Sequence, residues 1–285
     1  MAGMQLTQSA AAVVERDARG RLRTSSSKGA NRAIPITLAV LAVLTVLTFA
    51  RMQYGAVDLG RAALQALADA KAMFLQPALD PPYGASHFTW ETVAQSTVIT
   101  LAVTVVCTLL SAVVSFLLAL AASENLSSPA VSNAVKAVVA VIRAIPTILW
   151  VLVFTVAIVL GISLHSIAYL TKSYSESFEE IDGGVIEALR ASGAGFWQTV
   201  FQAVLPGTIT KLLSWTFIRF EINFTNAVAV GAFAGAGGIG FQLYQAGTRY
   251  YNLHEVGVIV YVCILVAFAL ELVSVRLRRR YIIND

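Results

Sequence analysis

Long apolar stretches without charged residues alternate with polar segments along this chain. No Asp, Glu, Lys or Arg occurs in residues 33–50, 92–123, 144–171 or 222–248. A helix crosses the hydrocarbon core of a bilayer with about 20 apolar residues, so each stretch is long enough to form a membrane span. Two further apolar segments, about 163–181 and 254–275, carry only isolated charges. The pattern therefore predicts six membrane-spanning helices.

One uncharged segment, 191–210, is predicted to be a loop because it contains several glycines and a proline. Asp182 is a preferred N-cap residue for a first short helix, and Gly193 can end that helix in the left-handed conformation. A second short helix is predicted over 196–204. Leu205-Pro206 is expected to end it, because proline disfavours a helical residue before it. The apolar face of this second helix is predicted to comprise Phe196, Val200, Phe201 and Val204.

Composition agrees with a membrane protein. Of 285 residues, 57% are hydrophobic and only 13% are charged, with a mean hydropathy of +0.73, so we predict an all-α integral membrane protein. Cys107 and Cys263 lie in apolar stretches without a CxxC pattern, and the histidines are isolated, so no metal site or catalytic group is predicted. The chain has no Walker A phosphate-binding motif, so it is not predicted to be an enzyme.

The basic residues concentrate at the two ends of the chain. Ten of the twenty Lys and Arg residues lie before the first predicted span or after the last one. Because Lys and Arg that flank membrane spans are retained in the cytoplasm, both termini are predicted to be cytoplasmic. An even number of spans agrees with this orientation. The positive net charge then follows from membrane topology, and no nucleic-acid partner is predicted.

This topology divides the chain into five segments. In order, they are a disordered basic cytoplasmic tail (1–32), the first span (33–50), an external segment with an amphipathic helix (51–92), a membrane core with a cytoplasmic loop at 182–206 (93–275) and a basic cytoplasmic C-terminal tail (276–285).

The loop at 182–206 carries the motif that resembles a known family. Glu187-Ala188-Leu189, Gly193 and Leu205-Pro206 resemble, in order and spacing, the EAA loop of permease subunits of ATP-binding-cassette (ABC) importers. The resemblance extends over 93–275 and implies a MetI-like type I importer fold. It also implies that the loop is a coupling helix that docks into a cytoplasmic ATPase. The positions carried over are Glu187, Ala188, Gly193, Leu205 and Pro206, whereas Leu189 and Ala203 replace the family's usual Ala and Ile.

Two further motifs resemble the phosphonate-type branch of that family. They are Arg219 followed by Phe220-Glu221-Ile222-Asn223, and the glycine-rich stretch 235–240. The resemblance implies import of phosphonate, phosphate or phosphite across the cytoplasmic (inner) membrane. It implies a lipid-embedded homodimer that works with an external substrate-binding protein and an ATPase, and that ATPase would bind ATP and Mg, so that this chain needs no cofactor. It also implies an outer gate near Gly235, Gly237, Gly238 and Gly240.

Charged residues within the predicted spans suggest a transport pathway. Arg219 lies about halfway along its span, where a lipid-facing arginine costs at least about 2.5–3.5 kcal/mol, so it is expected to face the bundle interior and bind an anion. Asn223 shares its helix face, whereas Glu221 points away and is expected to pair with a cation such as Lys172. These four residues are assigned to the translocation pathway. The alternative is that they form interhelical ion pairs that hold the bundle together.

Other functions remain open from the sequence. An importer of amino acids such as methionine would share the fold and the loop. A secondary transporter or channel would explain the intramembrane charges but would have no use for a coupling loop. A purely structural membrane subunit would show no substrate-dependent stimulation of an ATPase. Gly235-x-Gly237-x-x-Gly240 formally matches a dinucleotide-binding fingerprint, but the strand that this fingerprint requires is not predicted.

Overall fold

The computed structural model describes residues 14–16, 22–24, 30–51, 58–79, 87–154, 157–235 and 237–282. Two short antiparallel strands, β1 (Val14–Arg16) and β2 (Leu22–Thr24), lie in the predicted N-terminal tail. The helices are α1 (Ala30–Arg51), α2 (Leu59–Leu75), α3 (Trp90–Ala122), α4 (Pro129–Ala144), α5 (Thr147–Val153), α6 (Ile158–Glu179), α7 (Gly183–Ala191), α8 (Phe196–Thr199), α9 (Leu205–Ala234), α10 (Gly238–Tyr244) and α11 (Leu253–Ile282), with π-helical turns at Val200–Val204 and Gln245–Arg249. Apart from the two short strands, all regular secondary structure in the described residues is helical, which confirms the predicted all-α class.

Contacts divide the chain into two units. The first, up to Gln65, contains β1, β2, α1 and the first turns of α2. The second, from Ala66, contains the remaining helices. Within the first unit, α1 coincides with the predicted first span at 33–50, and α2 coincides with the predicted amphipathic helix of the external segment.

The second unit is organised around α3 and α6, which lie side by side. Ser111 Oγ on α3 donates a hydrogen bond to the Ser163 carbonyl on α6 at 3.2 Å, an offset of 52 residues. The same offset recurs for hydrogen bonds from Cys107, Ser115 and Ser123 to carbonyls of α6. A constant offset in ascending order means that the two helices run parallel. Small side chains four residues apart allow the close approach, and their polar groups donate bonds across the interface.

Because α3 and α6 are parallel, the chain must return between them, and α4 and α5 make this return. They meet at a 90° bend, where Pro146 precedes the first residue of α5. The proline ring and its missing N–H prevent α4 from continuing as one helix. Trp150 Nε1 donates to the Ile142 carbonyl at 3.1 Å across the bend. The uncharged stretch 144–171 is therefore not one span, as its composition suggested, but is divided between α5 and α6.

The predicted break at Leu205-Pro206 is wrong, because α8, a π-helical turn and α9 follow one another without interruption. In a regular α-helix the ring of Pro206 would clash with the carbonyl four residues earlier. The turn before it is instead widened, and the Leu205 N–H donates to the Val200 carbonyl five residues back. This π-helical turn accommodates the proline without ending the helix.

The last helix, α11, packs against α9 and α10 and against the end of α2. Tyr261 Oη donates to the Phe74 carbonyl at 2.7 Å. Gly257 approaches α2 so closely that a Cβ atom there would lie 2.0 Å from the Met73 carbonyl oxygen. The C-terminal part of α2 is thus attached to α11 by a close backbone contact that only glycine permits.

Three of the described helices, α1, α3 and α11, are long and apolar enough to cross a membrane, which supports a multi-pass protein. The number rises to five if α4–α5 and α8–α10 each count as one bent span. The remaining candidate is α6, which contains Lys172, Glu176 and Glu179 and is buried along much of its length. Six spans stay a prediction, which the parallel arrangement of α3 and α6 supports.

Replacing Ser111 with leucine is expected to destabilise the chain, because Ser111 is fully buried between α3 and α6. Overpacking there costs about 1–3 kcal/mol, whereas Ser111→Ala removes one interhelical hydrogen bond worth about 0.6 kcal/mol. Thermal unfolding in detergent should therefore rank wild type above Ser111→Ala and that variant above Ser111→Leu. Val113→Leu, at a position 65% exposed on the same helix, serves as the control. Equal unfolding temperatures for all four proteins would contradict this packing.

Candidate functional site

The loop between α6 and α9 forms two short helices joined by a sharp turn, as predicted. Asp182 Oδ1 accepts a hydrogen bond from the Gly184 N–H at 2.9 Å and caps α7. Gly193, with φ of +85°, lies in the turn that follows α7. The inner side of the loop is anchored in the core by the buried side chains of Ile186, Val200 and Val204, which belong to the same cluster as Phe178.

The predicted apolar face of the second helix is divided between the core and the surface. Val200 and Val204 are buried, whereas Phe196 and Phe201 are 46% and 58% exposed. Successive residues of a helix are about 100° apart, so Val200 and Phe201 cannot both face the core. Trp197, which is 52% exposed, stacks on Phe201 with ring centroids 6.0 Å apart and contacts Phe196 edge-on. We call Phe196, Trp197 and Phe201 the aromatic cluster.

Most of the coupling positions implied by the resemblance are accessible. Glu187, Ala188, Gly193 and Pro206 are exposed, and Leu205 is partly buried against the core. Arg190 was not predicted as a site residue. Its Nη2 donates a hydrogen bond to the Asn125 carbonyl at 3.1 Å and connects α7 to the turn after α3. An apolar surface rimmed by polar groups is typical of a protein interaction site.

Arg219 lies in the middle of α9 and is only 2% exposed. Its Nε donates to Ser166 Oγ at 3.0 Å, and its guanidinium carbon lies 5.2 Å from the centre of the Tyr169 ring. Its Nη2 is buried without a hydrogen-bond partner, and no carboxylate of the described residues forms an ion pair with it. Removing an ion from water costs several kcal/mol. The arrangement therefore leaves a buried cation that an anion would stabilise.

Neutral polar side chains hold this arginine in place. Ser166 Oγ donates to Asn223 Oδ1 at 2.7 Å, and Asn223 Nδ2 donates to Thr108 Oγ1 at 3.0 Å. Arg219 and Asn223 thus share one face of α9, as their spacing predicts, and both meet Ser166. The resulting network links α3, α6 and α9. Neither Ser166 nor Thr108 was predicted from the sequence, although Thr100, Thr104 and Thr108 repeat every four residues along α3.

The predicted pairing of Glu221 with Lys172 is wrong. Lys172 forms an ion pair with Glu176, one turn further along α6. Glu221 lies on the opposite side of α9 from Arg219, because two residues advance a helix by about 200°. Its side chain lines a separate cavity between α9 and α11 together with Glu271. The structure therefore brings together only two of the four predicted pathway residues.

The glycine-rich stretch forms the tight turn between α9 and α10. Gly235, Gly237 and Gly238 have φ values of 66°, 78° and 68°, which favour glycine. Gly240 packs on α9 so closely that a Cβ atom would lie 1.9 Å from the Val228 carbonyl oxygen. A Cβ on Gly238 would similarly lie 2.4 Å from Thr100 Oγ1. The described glycines of this turn therefore pack closely against α9 and against α3 near Thr100.

No group of three or more His, Cys, Asp or Glu side chains that could hold a metal ion occurs among the described residues. The two cysteines, Cys107 and Cys263, are not joined by a disulfide. At the Arg219 site, the guanidinium group and its neutral hydrogen-bonding neighbours can recognise a ligand electrostatically.

This chain is similar in sequence to a family of known transport proteins. The family described as "Binding-protein-dependent transport system inner membrane component" matches residues 115–281. The phosphate-import permease protein PhnE of Mycolicibacterium smegmatis is 34% identical over 169 residues, which are 56% of this chain and 31% of that protein. The cryptic phosphonate transport system permease protein PhnE2 of Escherichia coli is 34% identical over 123 residues, which are 43% of this chain and 99% of that protein. The alignment thus spans less than a third of the first relative's length.

Solved structures of low sequence identity share the fold. A chain of the MetNI methionine ABC transporter superposes with a TM-score of 0.60 at 23% identity, over 67% of this chain and 96% of that one. A chain of a bacterial alginate ABC transporter gives 0.56 at 14% identity, over 90% and 98%. The predicted MetI-like fold is thus confirmed. This chain belongs to the family of binding-protein-dependent transport system inner membrane components, in its PhnE-like branch.

Proposed function

We propose that this chain is the permease subunit of an ATP-driven importer of phosphonate- and phosphate-type oxyanions. It would work as a homodimer in the cytoplasmic membrane, with an external substrate-binding protein and a cytoplasmic ATPase that binds ATP and Mg. The names of the related permeases of Mycolicibacterium smegmatis and Escherichia coli support this substrate class. The chain itself performs no chemical step.

The observation that carries the proposal is the buried guanidinium of Arg219, which forms no ion pair with a carboxylate among the described residues. A guanidinium group offers a planar fork of donors that matches the oxygens of a phosphonate or phosphate. Neutral partners, Ser166 and Tyr169, position Arg219 without cancelling its charge. An anion that reaches the centre of the bundle would therefore be stabilised there, whereas a cation would be repelled.

Coupling to ATP hydrolysis is proposed to occur through the loop at 182–206, which we therefore call the coupling loop. The aromatic cluster and the exposed Glu187 would dock into the ATPase, with the cluster filling an apolar cleft. Ile186, Val200 and Val204 bury the other side of the loop in the core, so a push on the loop would be transmitted to α6 and α9 as rigid elements. Closure of the ATPases would then switch the central path between inward and outward access.

The basic tails support an orientation with both termini in the cytoplasm. In that orientation the coupling loop faces the ATPase, and the turn between α9 and α10 faces outward. The positive φ values at Gly235, Gly237 and Gly238 and the close packing of Gly240 suit a gate, because small changes in this backbone would open or close the path beside Thr100.

Arg219→Gln is expected to lower the uptake of labelled phosphonate and phosphate in cells by about ten- to a hundredfold. The substitution removes hydrogen bonds to a charged group, which are worth about 1.5–3 kcal/mol each. Uptake would be measured in cells that lack the native chain and express each variant at equal membrane levels.

The matched control is Lys211→Gln, because Lys211 lies on the same helix face but forms an exposed ion pair with Glu180. If Arg219→Gln takes up phosphonate and phosphate at the wild-type rate, Arg219 does not belong to the translocation pathway. If deletion of this chain abolishes methionine uptake but leaves phosphonate and phosphate uptake unchanged, the substrates are amino acids such as methionine and not oxyanions.

Trp197→Ala is expected to weaken ATPase docking without unfolding the chain, because half of the Trp197 side chain is exposed. In reconstituted complexes, ATPase activity stimulated by loaded binding protein should fall at least severalfold, while the unfolding temperature of the isolated chain stays unchanged. Phe233→Ala, at an 80% exposed position near the other end of α9, should leave the stimulation intact. Full stimulation in Trp197→Ala would exclude the aromatic cluster from the ATPase interface.

A further inference from the structure

A second cavity, of about 260 Å³, lies between α3, α4 and α6, and Arg219 does not line it. Its wall includes the small apolar side chains of Ala122, Val139 and Ala140. Three cationic side chains also line it, Lys136 and Arg143 from α4 and Lys172 from α6. Two carboxylates, Glu176 and Glu179, line the cavity as well. The cavity therefore combines an apolar surface with a small excess of positive charge.

The carboxylates in this region neutralise two of the three cations. Lys136 Nζ lies 2.7 Å from Glu124 Oε1 and 3.0 Å from Glu179 Oε1. Lys172 forms its ion pair with Glu176. No described carboxylate lies within ion-pair distance of Arg143, the third cation. Arg143 thus places an uncompensated guanidinium group at the cavity.

Thr171 provides an independent sign of a missing ligand. Its side chain lines the cavity and is 1% exposed, and its hydroxyl has no hydrogen-bond partner among the described residues. Thr104 and Thr108, which are also buried in a helix, both donate to the carbonyl four residues earlier. Thr171 makes no such bond, and a buried hydroxyl that lacks a partner costs free energy.

We propose that this cavity binds a phosphorus oxyanion, held by the guanidinium of Arg143 and, once the buried Thr171 side chain turns toward the cavity, by the Thr171 hydroxyl. An arginine fork and a neutral hydroxyl donor match the oxygens of such a group. The oxyanion comes either from free phosphate or phosphonate, or from the headgroup of an anionic lipid whose acyl chain lies on the apolar wall. Both sources present the same chemistry to Arg143.

The position of the cavity indicates its role. Thr171 and Ser175 lie one to three turns beyond Ser166 along α6, toward the loop at 182–206. In the orientation proposed above, a free anion that leaves Arg219 would meet Arg143 before release into the cytoplasm. This role as a release site rests on the proposed function, whereas binding at the cavity does not.

The test is protection of a cysteine placed in the cavity wall. Ala140→Cys is made in a chain whose Cys107 and Cys263 are replaced by alanine, and the purified full chain is embedded in phosphatidylcholine nanodiscs. The rate of labelling by a sulfonate-bearing methanethiosulfonate reagent is measured with and without inorganic phosphate or methylphosphonate. At about ten times the dissociation constant the rate should fall about tenfold, because only the unoccupied fraction reacts.

Val138→Cys is the matched control, because it lies on the same helix, is 59% exposed and does not line the cavity. Protection at position 140 should disappear with Arg143→Gln, return with Arg143→Lys and persist with Arg219→Gln. If labelling at position 140 is slowed in phosphatidylglycerol nanodiscs but not by added phosphate, the occupant of the cavity is a lipid headgroup. Unchanged labelling with every probe would overturn the proposal, and so would loss of protection with Arg219→Gln. None of these outcomes depends on transport, so failure of the proposed function is detected separately.

Discussion

The contact between the parallel helices α3 and α6 is the constraint on which the rest of the core depends. Hydrogen bonds from Ser111, Ser115 and Ser123 to carbonyls of α6 hold the two helices in one register. Because the helices run in the same direction, α4 and α5 must carry the chain back between them. The same register brings Thr108 on α3 and Ser166 on α6 to the face of α9 that carries Arg219 and Asn223.

This arrangement separates two kinds of charged residue. At the end of α6 that adjoins the coupling loop, lysines pair with carboxylates, as in Lys136 with Glu179 and Lys211 with Glu180. At the centre of the bundle, the partners of Arg219 within the described ranges are the neutral side chains of Ser166 and Tyr169. The paired charges stabilise the ends of the helices without a ligand. The guanidinium of Arg219 instead keeps a buried Nη2 without a hydrogen-bond partner among the described residues, and an anion would stabilise it.

The coupling loop shows why local rules were only partly sufficient. The N-cap at Asp182 and the left-handed Gly193 depend on a few neighbouring residues, so the sequence predicted both. Proline at position 206 is also a local signal, but the neighbouring π-helical turn accommodates it, and the helix continues. Which side of the second helix faces outward depends on where the core lies, so Phe196, Trp197 and Phe201 could not be recognised as one exposed cluster.

The sequence by itself determined the membrane class, the position of the coupling loop and the shared face of Arg219 and Asn223. These properties follow from composition and from the periodicity of a single helix. Only the tertiary structure decided which charges meet. It paired Lys172 with Glu176 instead of Glu221, placed Ser166 beside Arg219, and left Arg143 and Thr171 together at a cavity. The physical reason is that an ion pair or cavity between helices depends on their register and rotation, which residues far apart in the chain set jointly.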